Sequence, residues 1–103
     1  MQQSLRGYLD PLVLAVLADV PLHGYAVIEE LKRRSGGDLE LPEGTIYPAL
    51  HRLERRGMLR STWTRVDGRR RRIYRLTADG RRELASRRSE WRSFARVVDG
   101  VLT

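Results

Sequence analysis

The stretch from Pro42 to Leu59, PEGTIYPALHRLERRGML, most constrains what this chain can fold into. Its apolar residues recur at the spacing of one helical face, so this face can lie on a core. They are Ile46, Ala49, Leu50 and Leu53. The other positions hold hydrogen-bonding groups, an aromatic ring and cations, which suit a DNA groove. These are Thr45, Tyr47, Pro48, His51, Arg52, Arg55 and Arg56.

Both ends of this helix can be predicted. Gly57 should end it in a left-handed conformation. Pro48 would cost about 3 kcal/mol in a helix interior but is tolerable close to the first turn, so we expect the helix to begin near Glu43. Two predicted helices precede it, which is the order of a helix-turn-helix motif. Taken alone, it could equally be an ordinary amphipathic helix with a solvated basic face.

The segment that follows favours DNA binding. RSTWTRV and RRRIYRLT read as two strands joined by a tight turn at Asp67 and Gly68. Tyr74 and Leu76 share one face and can pack on the domain. The tip carries four consecutive cations, Arg69, Arg70, Arg71 and Arg72. Charges can also protect a sheet edge from aggregation, but four adjacent arginines repel one another unless a polyanion covers them.

Composition narrows the class of protein further. The 103 residues carry a formal net charge of +7, and residues 51 to 75 hold ten arginines against two acids, so the charge forms a patch suited to a polyanion. The chain has no cysteine, which excludes disulfides and thiolate zinc sites. No apolar run approaches the roughly 20 residues that cross a bilayer, and residues 1–6 do not begin a signal peptide. We therefore expect a soluble cytoplasmic protein.

Two helices are predicted before the stretch from Pro42 to Leu59. The first runs from about Pro11 to Asp19 with Asp10 as its N-cap, and it is apolar on almost all sides, so several neighbours should cover it. The second begins within LHGYAVIEELKRR. Its inward stripe should consist of Tyr25, Ile28 and Leu31. His23, at its start, is expected to cap or pack rather than to bind a metal.

The last helix should begin after Thr77, its N-cap, and run to about Asp99. Its apolar residues form a heptad-like seam that Arg88 interrupts. The seam comprises Leu84, Arg88, Trp91, Ala95, Val98 and Leu102, widened by Phe94, Val97 and Val101. A small winged domain has little surface left to cover it, so we expect a second subunit to do so. Alternatively, the helix folds back on its own domain, or its aromatic residues line an apolar pocket between the subunits.

Three blocks resemble the signature segments of PadR-type transcriptional regulators, in the same order. They read PLHGYAVIEEL, EGTIYPALHRLERRGML and GRRRRIYRLTADGRREL. The resemblance covers nearly the whole chain and implies a winged helix-turn-helix dimer, of the short subfamily, that binds a palindromic operator, usually as a repressor. It also implies that Gly44, Thr45 and Tyr47 lie at the DNA, that the arginines after Gly68 form the wing, and that the C-terminal helix dimerises. Some relatives bind flat hydrophobic compounds between the subunits.

The predicted fold class is mainly α with a small β-hairpin, an α+β winged helix-turn-helix. Residues 1–76 would be the DNA-binding part and residues 77–103 the dimerisation helix, together forming one compact domain. The predicted function is a sequence-specific DNA-binding regulator, a dimeric repressor of a nearby operon that a hydrophobic or aromatic effector could control. The alternative is a winged-helix module that assembles with an acidic protein. No catalytic pair, phosphate-binding loop or metal cluster is present, so neither an enzyme nor a cofactor is expected.

Overall fold

A computed structural model describes residues 7–103 and, within them, four helices and a small sheet. The helices are α1 (Leu9–Asp19), α2 (Gly24–Arg34), α3 (Glu43–Arg55) and α4 (Ala78–Leu102). The strands are β1 (Leu22–His23), β2 (Leu59–Val66) and β3 (Arg69–Leu76). The predicted α+β class is confirmed. Residues 1–6, for which the sequence predicts no signal peptide, lie outside the described part.

Helix α1 occupies the centre of the core, as its apolar sequence predicts. The other three helices and β3 all contact it. Its buried residues are Val13, Leu14, Val16 and Leu17. The predicted N-cap is wrong: Tyr8 occupies that position, and Asp10 lies in the first turn of the helix. Pro11 still falls within the first turn, where a backbone N–H has no intrahelical acceptor.

The segment before α2 is a strand rather than the start of that helix. Leu22 and His23 pair antiparallel with Tyr74 and Ile73 of β3. The predicted hairpin is therefore part of a three-stranded sheet in the order β1-β3-β2. Because β3 is central, it ties the start of α2 to the hairpin.

Helix α2 differs from its predicted inward stripe at one position. Leu31 is buried and Ile28 is partly buried, as expected. Tyr25 is instead 49% exposed, and Val27 is the buried residue of the first turns. Ser35 is the C-cap of this helix, and Gly36 follows in the left-handed region.

The β2–β3 hairpin follows the sequence prediction closely. Val66 pairs with Arg69, which leaves Asp67 and Gly68 as a two-residue turn. Both turn residues have positive φ, 51° and 79°, as a type I′ turn requires. At the base of the hairpin the side chains of Leu59, Tyr74 and Leu76 are buried, as predicted for the last two.

The end of α3 and the start of α4 are joined through backbone groups. Gly57, with a φ of 80°, ends α3, and the N–H of Met58 donates to the carbonyl of Leu53. Thr77 caps α4 by accepting a hydrogen bond from Gly80, and its own N–H donates to the Met58 carbonyl at 3.1 Å. The predicted cap is confirmed, but α4 extends past Asp99.

Candidate nucleic-acid interface

Helix α3 presents the predicted division between a buried and an open face. Ile46, Ala49, Leu50 and Leu53 are completely buried against α1, α2 and β2. On the opposite side, the exposed residues are Gly44, Pro48, His51 and Arg55. Their spacing of three or four places them along one stripe of the helix. This stripe is named the open face of α3.

Helix α3 begins at Glu43, as predicted, which makes Pro48 its sixth residue. Because proline has no N–H, the carbonyl of Gly44 receives no helical hydrogen bond from it. Both residues are exposed, so water or a ligand donor can reach that carbonyl. Pro48 therefore removes one i→i−4 hydrogen bond on the open face of α3.

Tyr47 lies on the flank of α3 that faces α2, and its ring is partly buried against the core. The expectation that it points away from the core is wrong for the ring. A Cβ atom added to Gly24 would lie 2.6 Å from the ring and 2.9 Å from the hydroxyl oxygen. Gly24 therefore makes room for Tyr47 at the N-terminus of α2. Thr45 lies near the opposite flank and is also only partly exposed.

Arg52 and Arg56 lie on the flank of α3 that faces α1. Arg52 donates to a carboxylate oxygen of Asp10 at 2.6 Å, and Arg56 lies 3.6 Å from the other oxygen. The side chain of Arg52 remains 42% exposed, so it can still be reached from solvent. The ion pair with Asp10 fixes the direction of the Arg52 side chain. It also neutralises part of the positive charge that the sequence predicts for this surface.

The β2–β3 hairpin is the wing of this fold. Glu54, on the opposite flank of α3, binds it. Its carboxylate accepts a hydrogen bond from Arg72 at 3.1 Å and another from the Ser61 hydroxyl at 2.6 Å. Arg72 Nε also donates to the Ser61 oxygen at 2.7 Å, which closes a ring of three hydrogen bonds. Arg72 thus lies in the middle of β3, opposite Trp63, and positions the wing beside α3, although the sequence pattern places it with the tip.

The other three arginines of the consecutive run lie nearer the turn. Arg69 and Arg70 are exposed and Arg71 is partly exposed. Within residues 7–103, Arg71 Nε is the buried side-chain nitrogen that has no hydrogen-bond partner. Exposed guanidinium groups such as those of Arg69 and Arg70 have the chemistry that binds phosphate oxygens.

His23 caps α2, as the sequence predicts, by accepting the N–H of Ala26 at its Nδ1 atom, 3.2 Å away. Burial lowers the pKa of His23, and the nearby Arg71 lowers it further, although Asp67 has the opposite effect. Protonation would remove the acceptor from the cap. The neutral imidazole is therefore the form that supports the fold.

We expect the cap to make stability depend on pH. Because the folded pKa of His23 lies below its ordinary value of 6.5, its contribution is complete above that pH and is lost as the pH falls. The loss should approach about 1 kcal/mol, the usual value of an N-cap. Thermal unfolding at pH 7.5 and 5.5 measures it. His23→Asn, which can cap without titrating in this range, is the control; an equal pH dependence in that variant would contradict the assignment.

Helix α4 divides into a packed and an open half. Leu84, predicted for the seam, is buried in the core with only 3% exposed, so its assignment to the seam is wrong. The open apolar residues are Trp91, Phe94, Val97, Val101 and Leu102, which are 51% to 79% exposed. Ala95 and Val98 are partly exposed among them. This set is named the open seam. Helix α4 lies against α1, as the alternative of folding back would require, and its two buried residues, Gly80 and Leu84, both belong to its first half.

A groove separates α1 from the middle of α4. It has a volume of about 730 Å³, and most of its lining is apolar. Tyr8 meets Trp91 edge to face in it, with 5.2 Å between ring centroids, and Phe94 lies 6.2 Å from Trp91. Arg88 is exposed at its margin. Neighbouring Arg87 is the arginine that pairs with Glu83 and Glu90, both at 3.7 Å.

Other kinds of site find no support in the described residues. Between residues 7 and 103, no three histidine, aspartate or glutamate side chains are grouped so that they could hold a metal ion. None of the four helices is both long and apolar enough to cross a membrane.

Three core helices, a basic hairpin beside the third, and an exposed face on that third helix define a winged helix-turn-helix protein. Residues 13–86 match the PadR-like family of transcriptional regulators. The chain therefore belongs to the PadR-like family. Over 100 residues it is 42% identical to a transcriptional regulator of Mycobacterium tuberculosis, a match that covers 97% of this chain and 91% of that protein.

Solved structures agree in fold. A PadR family transcriptional regulator from Eggerthella lenta superposes with a TM-score of 0.85 and 32% identity, over 98% of this chain and 87% of that one. A PadR family regulator from Clostridium difficile gives 0.82 and 31%, over 93% of this chain and 99% of its own. The family and these relatives are transcriptional regulators, which implies DNA binding and gives no support to an enzyme.

Proposed function

We propose that this chain binds DNA sequence-specifically, with α3 in the major groove and the wing on the adjacent backbone. The observation that carries the proposal is the bond between Arg72 and Glu54, because it holds a basic hairpin alongside the open face of α3. A protein that contacts both a groove and the flanking phosphates is fixed in its position along the duplex and binds the DNA more tightly.

Each predicted DNA contact takes a role from its position. Arg69, Arg70 and Arg71 would bind phosphates, since phosphate oxygens suit unpaired guanidinium donors. Pro48, His51 and Arg55 would face base edges from the open face of α3. Gly44 would lie close to the sugar–phosphate backbone of the DNA. Thr45, Tyr47 and Arg52 would contact the DNA from the flanks of the helix. Arg52 would do so while it remains hydrogen-bonded to Asp10.

We further propose that the chain acts as a homodimer and that residues 77–103 join two DNA-binding units formed by residues 1–76. The open seam supports this, because five large apolar residues in one stretch of α4 remain exposed. A copy of the same helix could cover them, and two-fold symmetry would place two recognition helices on a palindromic operator. Repression of a nearby operon in the cytoplasm is the form of regulation that we favour.

The groove beside Trp91 supports control by a small molecule. A volume of about 730 Å³ is in the range of drug-sized ligand sites, and aromatic rings at its floor suit a flat hydrophobic compound. Alternatively, the same rings pack closely between two subunits. Such packing would explain their exposure in a single chain without a ligand. Titrating tryptophan fluorescence with planar aromatic compounds distinguishes the two, since only a ligand site would respond.

Salt dependence tests DNA binding itself. The affinity for duplex DNA should fall linearly with salt concentration on a log–log plot, with a slope of roughly −0.9 for each phosphate contacted.

The alternative, an assembly module that uses its basic surface on an acidic protein, predicts no preference for any duplex sequence. Selection of bound fragments from genomic DNA should return one recurring palindrome; a set with no common motif would contradict sequence-specific regulation.

Replacing Arg69, Arg70 and Arg71 together with alanine should weaken binding to specific and nonspecific duplexes alike. The reason is that phosphate contacts position the protein without reading sequence. The salt slope should flatten by roughly 0.9 for each phosphate that the variant no longer neutralises. Equilibrium titrations at several salt concentrations measure both effects. Arg81→Ala with Arg82→Ala, which removes exposed cations of α4, is the control; an unchanged slope in the wing variant would remove the wing from the interface.

A further inference from the structure

One large aromatic residue of the wing takes no part in the proposed DNA contacts. Trp63, in the middle of β2, is 58% exposed. The sequence pattern gives it no role beyond membership of a strand. An exposed indole leaves considerable apolar surface in water, and such surface commonly marks an interaction site when charged groups surround it.

Strand geometry gives the direction in which Trp63 faces. Side chains alternate along β2, so Trp63 shares its face with Ser61 and Arg65. Ser61 bonds to Glu54 of α3, which shows that this face of the hairpin looks toward α3. Trp63 lies two residues farther toward the tip than Ser61, on the same face of the hairpin.

Two arginines hold the indole in place. The guanidinium of Arg70 lies 5.0 Å from the Trp63 ring centroid, and that of Arg72 lies 5.9 Å from it. Arg72 is itself fixed by Glu54 and Ser61, so the ring has a rigid neighbour on that side. Arg70 keeps its N–H groups free while it lies over the ring, and this stacking restricts its rotamers before any ligand arrives.

The geometry points to Trp63 as a contact for the sugar–phosphate backbone of duplex DNA. The indole would pack on an apolar deoxyribose edge while Arg70 and Arg65 bind the flanking phosphates. This inference rests on the proposed function, because it adds a residue to the same interface. Duplex DNA fits better than a protein partner because the hairpin around the ring carries cations and, apart from Asp67 in the turn, no acid.

Trp63→Ala should weaken binding to a nonspecific duplex roughly tenfold, the effect of losing a partly buried indole. The salt slope should not change, because the indole carries no charge. Trp63→Phe, which keeps a planar ring, should recover most of the affinity. Thr64→Ala, on the opposite face of β2, is the matched control. Duplex should quench more fluorescence in the wild-type protein than in Trp63→Phe, since only the former carries the indole at this site.

The outcomes separate this inference from the proposed function. If the wild-type protein shows no salt-dependent duplex binding, both are wrong. If it binds and Trp63→Ala binds equally well, only the assignment of Trp63 fails. A flattened slope in Trp63→Ala would show that the ring merely orients Arg70, which also overturns direct contact. A changed sedimentation coefficient of Trp63→Ala without DNA would assign the ring to a protein contact instead.

Discussion

Gly80→Ala is expected to destabilise this protein by about 3 kcal/mol or more, because the new methyl group has no space. An ideal Cβ at Gly80 would lie 2.2 Å from the carbonyl oxygen of Met58, which is backbone. That oxygen cannot easily move, since it accepts the N–H of Thr77 at the start of α4. For a domain of this size the loss should lower Tm by at least about 12 °C.

Gly100→Ala is the matched control on the same helix. A Cβ at Gly100 would meet nothing within 4 Å, and alanine has the higher helix propensity, so this variant should be neutral or slightly stabilising. Thermal unfolding followed by circular dichroism compares the two. Equal melting temperatures for the wild-type protein and Gly80→Ala would mean that α4 can shift away from the end of α3, contrary to the close backbone contact.

Trp91→Ala is expected to shift the chain from dimer to monomer. Trp91 lies at the start of the open seam and contacts Tyr8 and Phe94, yet half of its surface remains exposed in a single chain. If a partner subunit buries the rest, its loss should cost about 3 to 5 kcal/mol of dimer stability. Operator affinity should fall with it, because two half-sites roughly 34 Å apart require two linked recognition helices.

Arg92→Ala provides the comparison for Trp91→Ala, since Arg92 is adjacent, exposed and outside the open seam. Sedimentation across a range of concentrations gives the dimer constants, and operator titration gives the affinity. A Trp91→Ala protein that sediments as the same tight dimer would show that the subunits meet elsewhere. Circular dichroism of the dilute variant should still show a folded chain, because Leu84 and not Trp91 joins α4 to the core.

The sequence by itself determined the elements whose signals are local. The apolar spacing of α3, the Asp67-Gly68 turn, the Thr77 cap and the left-handed Gly57 all depend on neighbours within a few residues. Their conformational preferences act wherever the segment lies in the fold, so pattern alone predicts them. The basic patch was equally visible, because it follows from residue counts in one stretch.

The tertiary structure alone decided which charged and aromatic residues meet. Arg52 reaches Asp10 across 42 positions of the chain and Arg72 reaches Glu54 across 18, and neither pairing leaves a periodic trace in sequence. The two-residue strand β1 exists only because β3 lies beside it. Leu84 follows the same heptad spacing as Trp91, yet it is buried in the core cluster while Trp91 is half exposed. Helical periodicity defines a face, but only packing determines which neighbour covers it.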